Sequence, residues 1–334
     1  MNAIRSIAVV GAGSWGTALA IQLCRAGLAT RLWGRDAAAI VRMRAERLNA
    51  RYLPEAPFPD GLDVTPDLRA AVHGADVVLI AVPSHAFRAT LEAVRDAGHA
   101  PRVAWATKGF ELDTGLLPHK VAADVLGAER PTAVLSGPTF AREVAAGLPT
   151  ALTIASEHDE YAHDLARALT TDNLRPYTSS DIVGVEVGGA TKNVFAIGAG
   201  LCDGLGFGAN TRIALVTRAL AEMTRLGVAL GARRETFMGL AGIGDLVLTC
   251  TDDQSRNRRF GLALARGLSA EQALAEIGQV VEGYYAARST RRVAERVGVE
   301  MPIVEQIHAV LYRGVDPRDA AAALMRRPIG SEIR

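Results

Sequence analysis

The chain has 334 residues, of which 49% are hydrophobic and 22% charged, and its formal net charge is +1. That length suits two domains of ordinary size with a substantial core, and the near-neutral balance excludes the strong basic field of a nucleic-acid binder. No apolar run reaches the roughly 18 residues of a membrane span, since the nearest approach, at 183–205, carries Glu186, Lys192 and Asp203.

In chain order, Ser6-Ile7-Ala8-Val9-Val10 is a short β-branched apolar run that meets Gly11-Ala12-Gly13-Ser14-Trp15-Gly16, and an alanine-rich helical pattern follows over 17–26. Strand, tight turn and helix N-terminus in that order make a dinucleotide-binding fingerprint. Gly11 permits the turn, Gly13 lets a pyrophosphate approach the backbone, and Gly16 lets the helix pack closely on the strand. The helix N-terminus offers free N–H donors and a partial positive charge to phosphates. A structural turn in some other α/β protein is the competing account. Residues 29–33 close the first βαβ unit, and Arg35 stands where NAD-specific folds often carry an acid for the ribose 2′-hydroxyl. An arginine there can face a 2′-phosphate and stack on adenine, which favours NADP or use of both cofactors. The alternative is a solvated arginine beside Asp36, which caps the next helix over 36–48.

Residues 49–61, punctuated by Pro54 and Pro59, read as loop. Runs at 76–83, 102–107 and 132–135 are apolar throughout, as parallel strands covered on both faces are. Ser84 is expected to cap a helix over 85–96. Lys108 follows the second of these strands and Ser136-Gly137-Pro138-Thr139-Phe140-Ala141 the third, and ligands in open α/β sheets sit beyond the carboxyl ends of strands. A helix at 116–126, a strand at 151–155, a helix at 157–170 and a strand near 175–178 complete this half.

From residue 183 strand signals stop, which divides the chain into an α/β unit, 1–182, and an all-α unit, 183–334. The stretch 185–205 holds Gly188, Gly189, Gly198, Gly200 and Gly204, each costing a helix about 1 kcal/mol relative to alanine. Such a helix makes sense only if other backbones or a ligand approach it closely. Lys192 lies amid small and apolar neighbours, where desolvation depresses a lysine pKa towards a range useful for proton transfer. A lysine snorkelling to solvent is the bland alternative. After an amphipathic helix at 211–230, Gly239-Leu240-Ala241-Gly242-Ile243-Gly244-Asp245-Leu246 delivers one acid, which on its own reads as a helix cap. Residues 251–260 are polar and basic, either a phosphate clamp or a solvated loop. Glu282 interrupts two helices and could reach a ribose, and Met301-Pro302-Ile303 starts another helix. Cys24, Cys202 and Cys250 have no metal-ligand spacing, and no charged-then-apolar leader precedes the first strand. The expectation is a cytoplasmic protein with reduced, structural thiols.

In combination these landmarks resemble the bacterial NAD(P)-dependent glycerol-3-phosphate dehydrogenases over nearly the whole chain. The blocks that carry the resemblance are Gly11-Ala12-Gly13-Ser14-Trp15-Gly16-Thr17-Ala18, Ala106-Thr107-Lys108-Gly109, Ser136 through Ala141, Gly189-Ala190-Thr191-Lys192-Asn193-Val194, Gly239 through Leu246, and Ser255-Arg256-Asn257-Arg258. The first block is shared by many unrelated oxidoreductases, whereas the later ones in this order are far more specific. The resemblance implies an α/β Rossmann-type N-terminal domain plus an all-α C-terminal domain, and interconversion of dihydroxyacetone phosphate and sn-glycerol 3-phosphate with NAD or NADP. The product would serve glycerophospholipid synthesis. It implies Lys192 as proton acceptor and donor, Lys108 as a second lysine on substrate and cofactor, and Asp245 as their supporting acid. Gly137, Thr139, Ser255, Arg256 and Asn257 would join these three around the substrate. Gly11, Gly13, Ser14, Trp15, Gly16, Arg35, Lys108, Ala141, Arg256, Val280 and Glu282 would contact the cofactor. No metal is required, and the glycine-rich helical domain is compatible with a homodimer.

The rival within enzymes is another two-domain dehydrogenase, acting on a hydroxy acid or sugar phosphate. A rival of a different class binds NAD(P) as a sensor without chemistry, and would be expected to lack the set Lys108, Lys192 and Asp245. If Arg35 reads a 2′-phosphate, Arg35→Ala weakens NADPH more than NADH. Equal weakening in a fluorescence titration with each cofactor would remove that assignment.

Overall fold

The computed structural model describes residues 3–98 and 102–328. An eight-stranded sheet organises the first half, with β1 (Ser6–Val10), β2 (Ala29–Trp33), β5 (Leu62–Thr65), β6 (Val77–Ile80), β7 (Val103–Trp105), β8 (Thr132–Ser136), β9 (Thr150–Ala155) and β10 (Leu174–Ser179) in the spatial order β10-β9-β8-β7-β6-β1-β2-β5. Every pairing is parallel except β8 with β9. Helices α1 (Ser14–Arg25), α2 (Ala37–Glu46), α3 (Leu68–Val72), α4 (Phe87–Asp96), α5 (Pro118–Leu126), α6 (Ala141–Ala146) and α7 (Asp159–Leu169) connect the strands. Residues alternating along β1 divide between two apolar clusters, Ile7 and Val9 in one, Ala8 and Val10 in the other. Both faces of the sheet are therefore covered, which is why its strands are apolar throughout. The strand order reverses beside β1, where β2 pairs on one side and β6 on the other. That switch point opens a crevice at the carboxyl ends, into which Gly11, Val82, Lys108 and Gly137 are delivered.

The second half is helical: α8 (Ile182–Gly204), α9 (Gly208–Ala229), α10 (Asp245–Thr251), α11 (Arg256–Ala265), α12 (Ala270–Ile277), α13 (Glu282–Arg296), α14 (Pro302–Arg313) and α15 (Pro317–Met325). Its axis is α8, with 20 of 23 residues buried, and α9, α10, α11, α13 and α14 all pack on it. Its glycines are there because backbones touch. A side chain at Gly200 would meet the carbonyl carbon of Arg258 and the amide of Leu262, each at 3.0 Å. Facing it, one at Gly261 would meet the amide of Leu201 at 2.9 Å. The helical penalty of glycine is thus offset by close contact of α8 with α11.

The structure departs from the sequence reading in three places. The expected loop at 49–61 contains β3 (Leu48–Asn49) and β4 (Leu53–Pro57), an antiparallel ribbon outside the main sheet. Prolines without N–H donors are tolerated in such a short peripheral pair, and β5 and α3 are too short to show a period. Helix α1 begins at Ser14 rather than 17, because its first turn is built of fingerprint residues without an apolar rhythm. Ser84 does not cap α4: it opens a single 3-10 turn, Ser84–Ala86, and no side chain caps the helix that follows. Asp36 does cap α2, its carboxylate accepting from the Ala39 amide at 3.0 Å. The three cysteines are unpaired, and among the described residues no helix is long and apolar enough to cross a membrane.

Candidate active site

The fingerprint turn is built as its glycines require. Gly11 sits at φ +124 and donates its amide to Trp33 at 3.0 Å. Gly16 lies against the carbonyl of Gly11, where any side chain would collide. At Gly13, by contrast, a side chain would meet nothing within 4 Å, so this face of the turn is open to a ligand. No side chain caps α1, and Thr17 is the residue that donates back to Gly13, at 2.9 Å. The amides of Ser14, Trp15 and Gly16 are left to an anion, as a pyrophosphate site needs. Buried Asn49, on β3, fastens this turn by donating to the Ala12 carbonyl at 3.1 Å and the Thr17 hydroxyl at 2.8 Å. The donors and the open cradle fit a dinucleotide. Arg35 lies beyond β2, exposed and without a hydrogen bond or ion pair among the described residues.

The crevice meets the helical half at one carboxylate. Asp245 is 1% exposed. Its Oδ2 accepts from Lys108 Nζ at 2.7 Å, and its Oδ1 accepts from Lys192 Nζ. Lys192 also donates to Thr249 Oγ1 at 3.0 Å, and that hydroxyl donates to the Asp245 carbonyl at 2.6 Å. Lys108 arrives from the end of β7, its stem passing over Gly189 of α8, where a side chain would meet Lys108 Cγ at 3.2 Å. Lys192 arrives from α8 itself. Asp245 is the first residue of α10, following a glycine-rich π-type turn, Leu240–Gly244. The cap reading of Asp245 therefore fails: Gly244 holds the cap position, and the carboxylate is spent on the lysines.

Electrostatics follow from this packing. Burial lowers the Lys192 pKa to about 8, with Lys108 pushing the same way and Asp245 resisting. Burial alone would raise the Asp245 pKa, but the two ammonium groups overcome it and hold the carboxyl below its ordinary value. A buried carboxylate stays charged here because it is doubly paired.

The remaining expected residues divide by what their side chains do. Gly137 and Thr139 follow β8, with Thr139 donating to the Gly137 carbonyl at 3.2 Å. Ala141 opens α6. Arg256 opens α11, half-buried, with no hydrogen bond or ion pair among the described residues. Burial lowers its pKa, and nearby Glu282, the first residue of α13, resists. Burial in turn raises Glu282 to about 7 against the pull of Arg256. Val280 stands exposed just before α13. Ser255 and Asn257 are turned into the fold. Ser255 caps α11, accepting from the Arg258 amide at 3.2 Å. Asn257 donates to Asn193 Oδ1 at 2.9 Å and accepts from the Gly283 amide at 2.8 Å. The bond between Asn193 and Asn257 joins the turn that bears Lys192 to the turn that bears Arg256. Thr249 is absent from the sequence reading; its signal is its i,i+4 spacing from Asp245 on one helix face. Among the described residues no group of three or more His, Cys, Asp or Glu is placed to hold a metal.

A dinucleotide cradle at the sheet's switch point, beside a buried carboxylate that gathers one lysine from each half, defines a two-domain NAD(P)-dependent dehydrogenase. The comparisons with known proteins narrow the class. Models described as the N-terminus and C-terminus of NAD-dependent glycerol-3-phosphate dehydrogenase match residues 6–162 and 181–322, and the chain belongs to that family. A glycerol-3-phosphate dehydrogenase of the NAD(P)+ type from Aeromonas salmonicida is 57% identical over 324 residues, covering 96% of this chain and 97% of that protein. The crystal structure of glycerol-3-phosphate dehydrogenase from Coxiella burnetii superposes with a TM-score of 0.94 at 46% identity, covering 97% of this chain and 99% of the other. The ternary structure of D-mandelate dehydrogenase with NADH and anilino(oxo)acetate shares the fold alone, with a TM-score of 0.64 at 15% identity over 95% of this chain and 99% of the other.

Replacing Asp245 by asparagine leaves two ammonium groups without their counter-charge, a change that costs about 3–5 kcal/mol when a buried partner is lost. Lys192 is expected to respond by deprotonating well below the wild-type value of about 8. The alkaline limb of the pH–rate profile of Asp245→Asn reads this directly. A limb at the wild-type pH would show that Asp245 does not set the charge of Lys192.

Proposed function

We propose that Lys192, Lys108 and Asp245 carry the hydride-transfer chemistry of this enzyme and that Arg256 holds the phosphate of its substrate. The chain is an NAD(P)-dependent oxidoreductase that interconverts dihydroxyacetone phosphate and sn-glycerol 3-phosphate, supplying a backbone for glycerophospholipids. The observation that supports the residue assignment is the meeting of both lysines on one buried carboxylate beside the crevice. When bound, the nicotinamide supplies hydride to the ketone carbon or takes it from the alcohol. Lys192 as ammonium gives a proton to the ketone oxygen, and as neutral amine takes one from the hydroxyl. Lys108 adds a second positive charge where negative charge develops on that oxygen. Asp245 fixes both ammonium groups and keeps Lys192 from deprotonating at lower pH. Arg256, with no protein partner claiming its guanidinium, offers a two-pronged donor to a phosphate, so that binding remote from the reacting carbon orients it.

On the same reading Ser14, Trp15 and Gly16 hold the pyrophosphate through their amides, Arg35 reads the 2′-position, and Ala141, Val280 and Glu282 line the cofactor. Residues 1–182 act as the cofactor domain and 183–334 as the catalytic domain. The enzyme works in the cytoplasm as a homodimer, a reading supported by Ile213, Met238 and Val247, which are exposed apolar side chains on the helical half.

Reduction needs protonated Lys192 and oxidation the free amine. The kcat/KM for dihydroxyacetone phosphate should therefore be level below about pH 8 and fall above it, while that for glycerol 3-phosphate rises towards the same pH and then levels. Lys192→Ala should lower turnover about 10²- to 10⁴-fold with NADH binding unchanged; appreciable residual turnover sinks the assignment. Arg256→Ala should raise KM for dihydroxyacetone phosphate about 10- to 100-fold and leave the kinetics of unphosphorylated dihydroxyacetone nearly untouched. Equal losses on the two ketones would take the phosphate away from Arg256.

A further inference from the structure

Six residues before Lys192 on the same helix, α8 carries a second buried charge with no part in the chemistry above. The Glu186 side chain is 1% exposed, and its three hydrogen-bond donors all come from the nucleotide-binding half. Oε1 accepts from Trp105 Nε1 at 3.0 Å and from the His119 amide at 2.9 Å. Oε2 accepts from His119 Nδ1 at 2.5 Å. The other ring nitrogen of His119, Nε2, is buried without a hydrogen-bond partner among the described residues.

Two of these donors, the His119 amide and the Trp105 indole, have a structural reason to need this carboxylate. Helix α5 begins at Pro118 with no side-chain cap of its own. The His119 amide is one of its orphaned first-turn donors, and Glu186 caps it from another helix. Trp105 is the last residue of β7, fully buried, its ring set edge-on to Phe87 at 5.5 Å. Its indole N–H has to find an acceptor in the core, and Glu186 supplies it. Burial raises the Glu186 pKa, and the contacts with His119 and Trp105 resist that rise.

The placement of these groups links two reactive lysines. Trp105 stands three residues before Lys108, and Glu186 stands six residues before Lys192, about 9 Å along the helix axis. Strand end, Lys108, Asp245, Lys192, α8 and Glu186 thus form a closed loop with hydrogen bonds at three joints, Lys108 to Asp245, Lys192 to Asp245 and Trp105 to Glu186. The Glu186 junction adds directional bonds to the apolar packing of Ile182 and Val185 in the cluster that holds Trp105, whereas Lys108 reaches Asp245 on a side chain with four rotatable bonds.

We propose that Glu186 is a positioning residue for the reaction: by binding Trp105 and the start of α5 it fixes β7 against α8 at the register in which Lys108 and Lys192 both reach Asp245. The proposal rests on the roles given above to the two lysines, and a double-mutant cycle separates its failure from theirs.

In the full-length enzyme, Glu186→Gln is expected to fold, to bind NADH as wild type does by fluorescence titration, and to keep the KM for dihydroxyacetone phosphate within a few-fold. Its kcat falls about 10- to 100-fold, the size of effect that a misplacement of about 1 Å produces. The effect runs through Lys108, so adding Glu186→Gln to Lys108→Ala should cost little further activity. A merely structural carboxylate would lose the same factor in both backgrounds, and that result, or an unchanged kcat in the single variant, overturns the proposal. A Lys108→Ala enzyme with wild-type kcat overturns the catalytic reading, and the proposal with it. Should Glu186→Gln fail to give a cooperative thermal transition, Trp105→Phe decides. It keeps the ring in the core and removes one donor, and its kcat should fall about 2- to 5-fold in the presence of Lys108 and not in its absence.

Discussion

A carboxylate buried as deeply as Asp245 is unstable unless positive charge reaches it, and much of this fold can be read as the means of bringing that charge in. Lys192, from the central helix of the same half, pairs with it, and Lys108, from the nucleotide-binding sheet, brings a second ammonium group to the one carboxylate. The second pairing ties the nucleotide-binding half to the helical half at this carboxylate. The same neutralisation leaves a lysine near neutrality in its proton affinity, because one acid is shared between two bases in a dry site. The charge balance that holds the crevice together is thereby the source of its acid–base capacity.

Helix α8 lets this happen because so much of it has no side chain. Gly189 admits the stem of Lys108, Gly188 lies against the carbonyl of Ala241 in the turn that presents Asp245, and Gly200 seats α11 with Arg256 at its start. Each is a place where something carrying a functional group comes within backbone distance. The apolar and small residues between them bury the helix, and Lys192 and Asn193 point the resulting contacts towards the crevice and towards Asn257.

Much of this was legible in the amino-acid order. The glycine spacing after β1, the apolar strands ending at Lys108 and at Gly137, and a lysine within a glycine-rich helix announce a cofactor turn, a crevice and a buried amine, because each rests on local periodicity or on steric need. Asp245 was harder. Locally an acid after glycine is a cap, and only the arrival of two lysines from distant segments makes it a counter-ion. Thr249 has only its i,i+4 spacing from Asp245 to mark it, and that spacing means something only once Asp245 is known to hold the lysines. Ser255 and Asn257 resemble phosphate ligands by type and neighbourhood, yet Ser255 caps its own helix through the Arg258 amide, a local bond, and Asn257 is taken up by Asn193 and the Gly283 amide, partners that only the packing of three helices supplies. The ribbon of β3 and β4 was hidden by its prolines. Glu186 read as a charge interrupting an apolar stretch, since its partners lie some seventy to eighty residues earlier.

Placing Glu186, Lys192 and Asn193 on one rigid rod has a consequence for how such a chain can change over time. A helix turns about 100° per residue, so inserting or deleting a single residue between Glu186 and Lys192 would rotate the amine out of the crevice while every side chain remained chemically intact. Substitutions along this stretch are limited by volume, but changes of length are limited by phase. The segment 186–193 is therefore fixed in the number of its residues as well as in their volume, whereas the exposed turns around α12 are under no such angular bookkeeping.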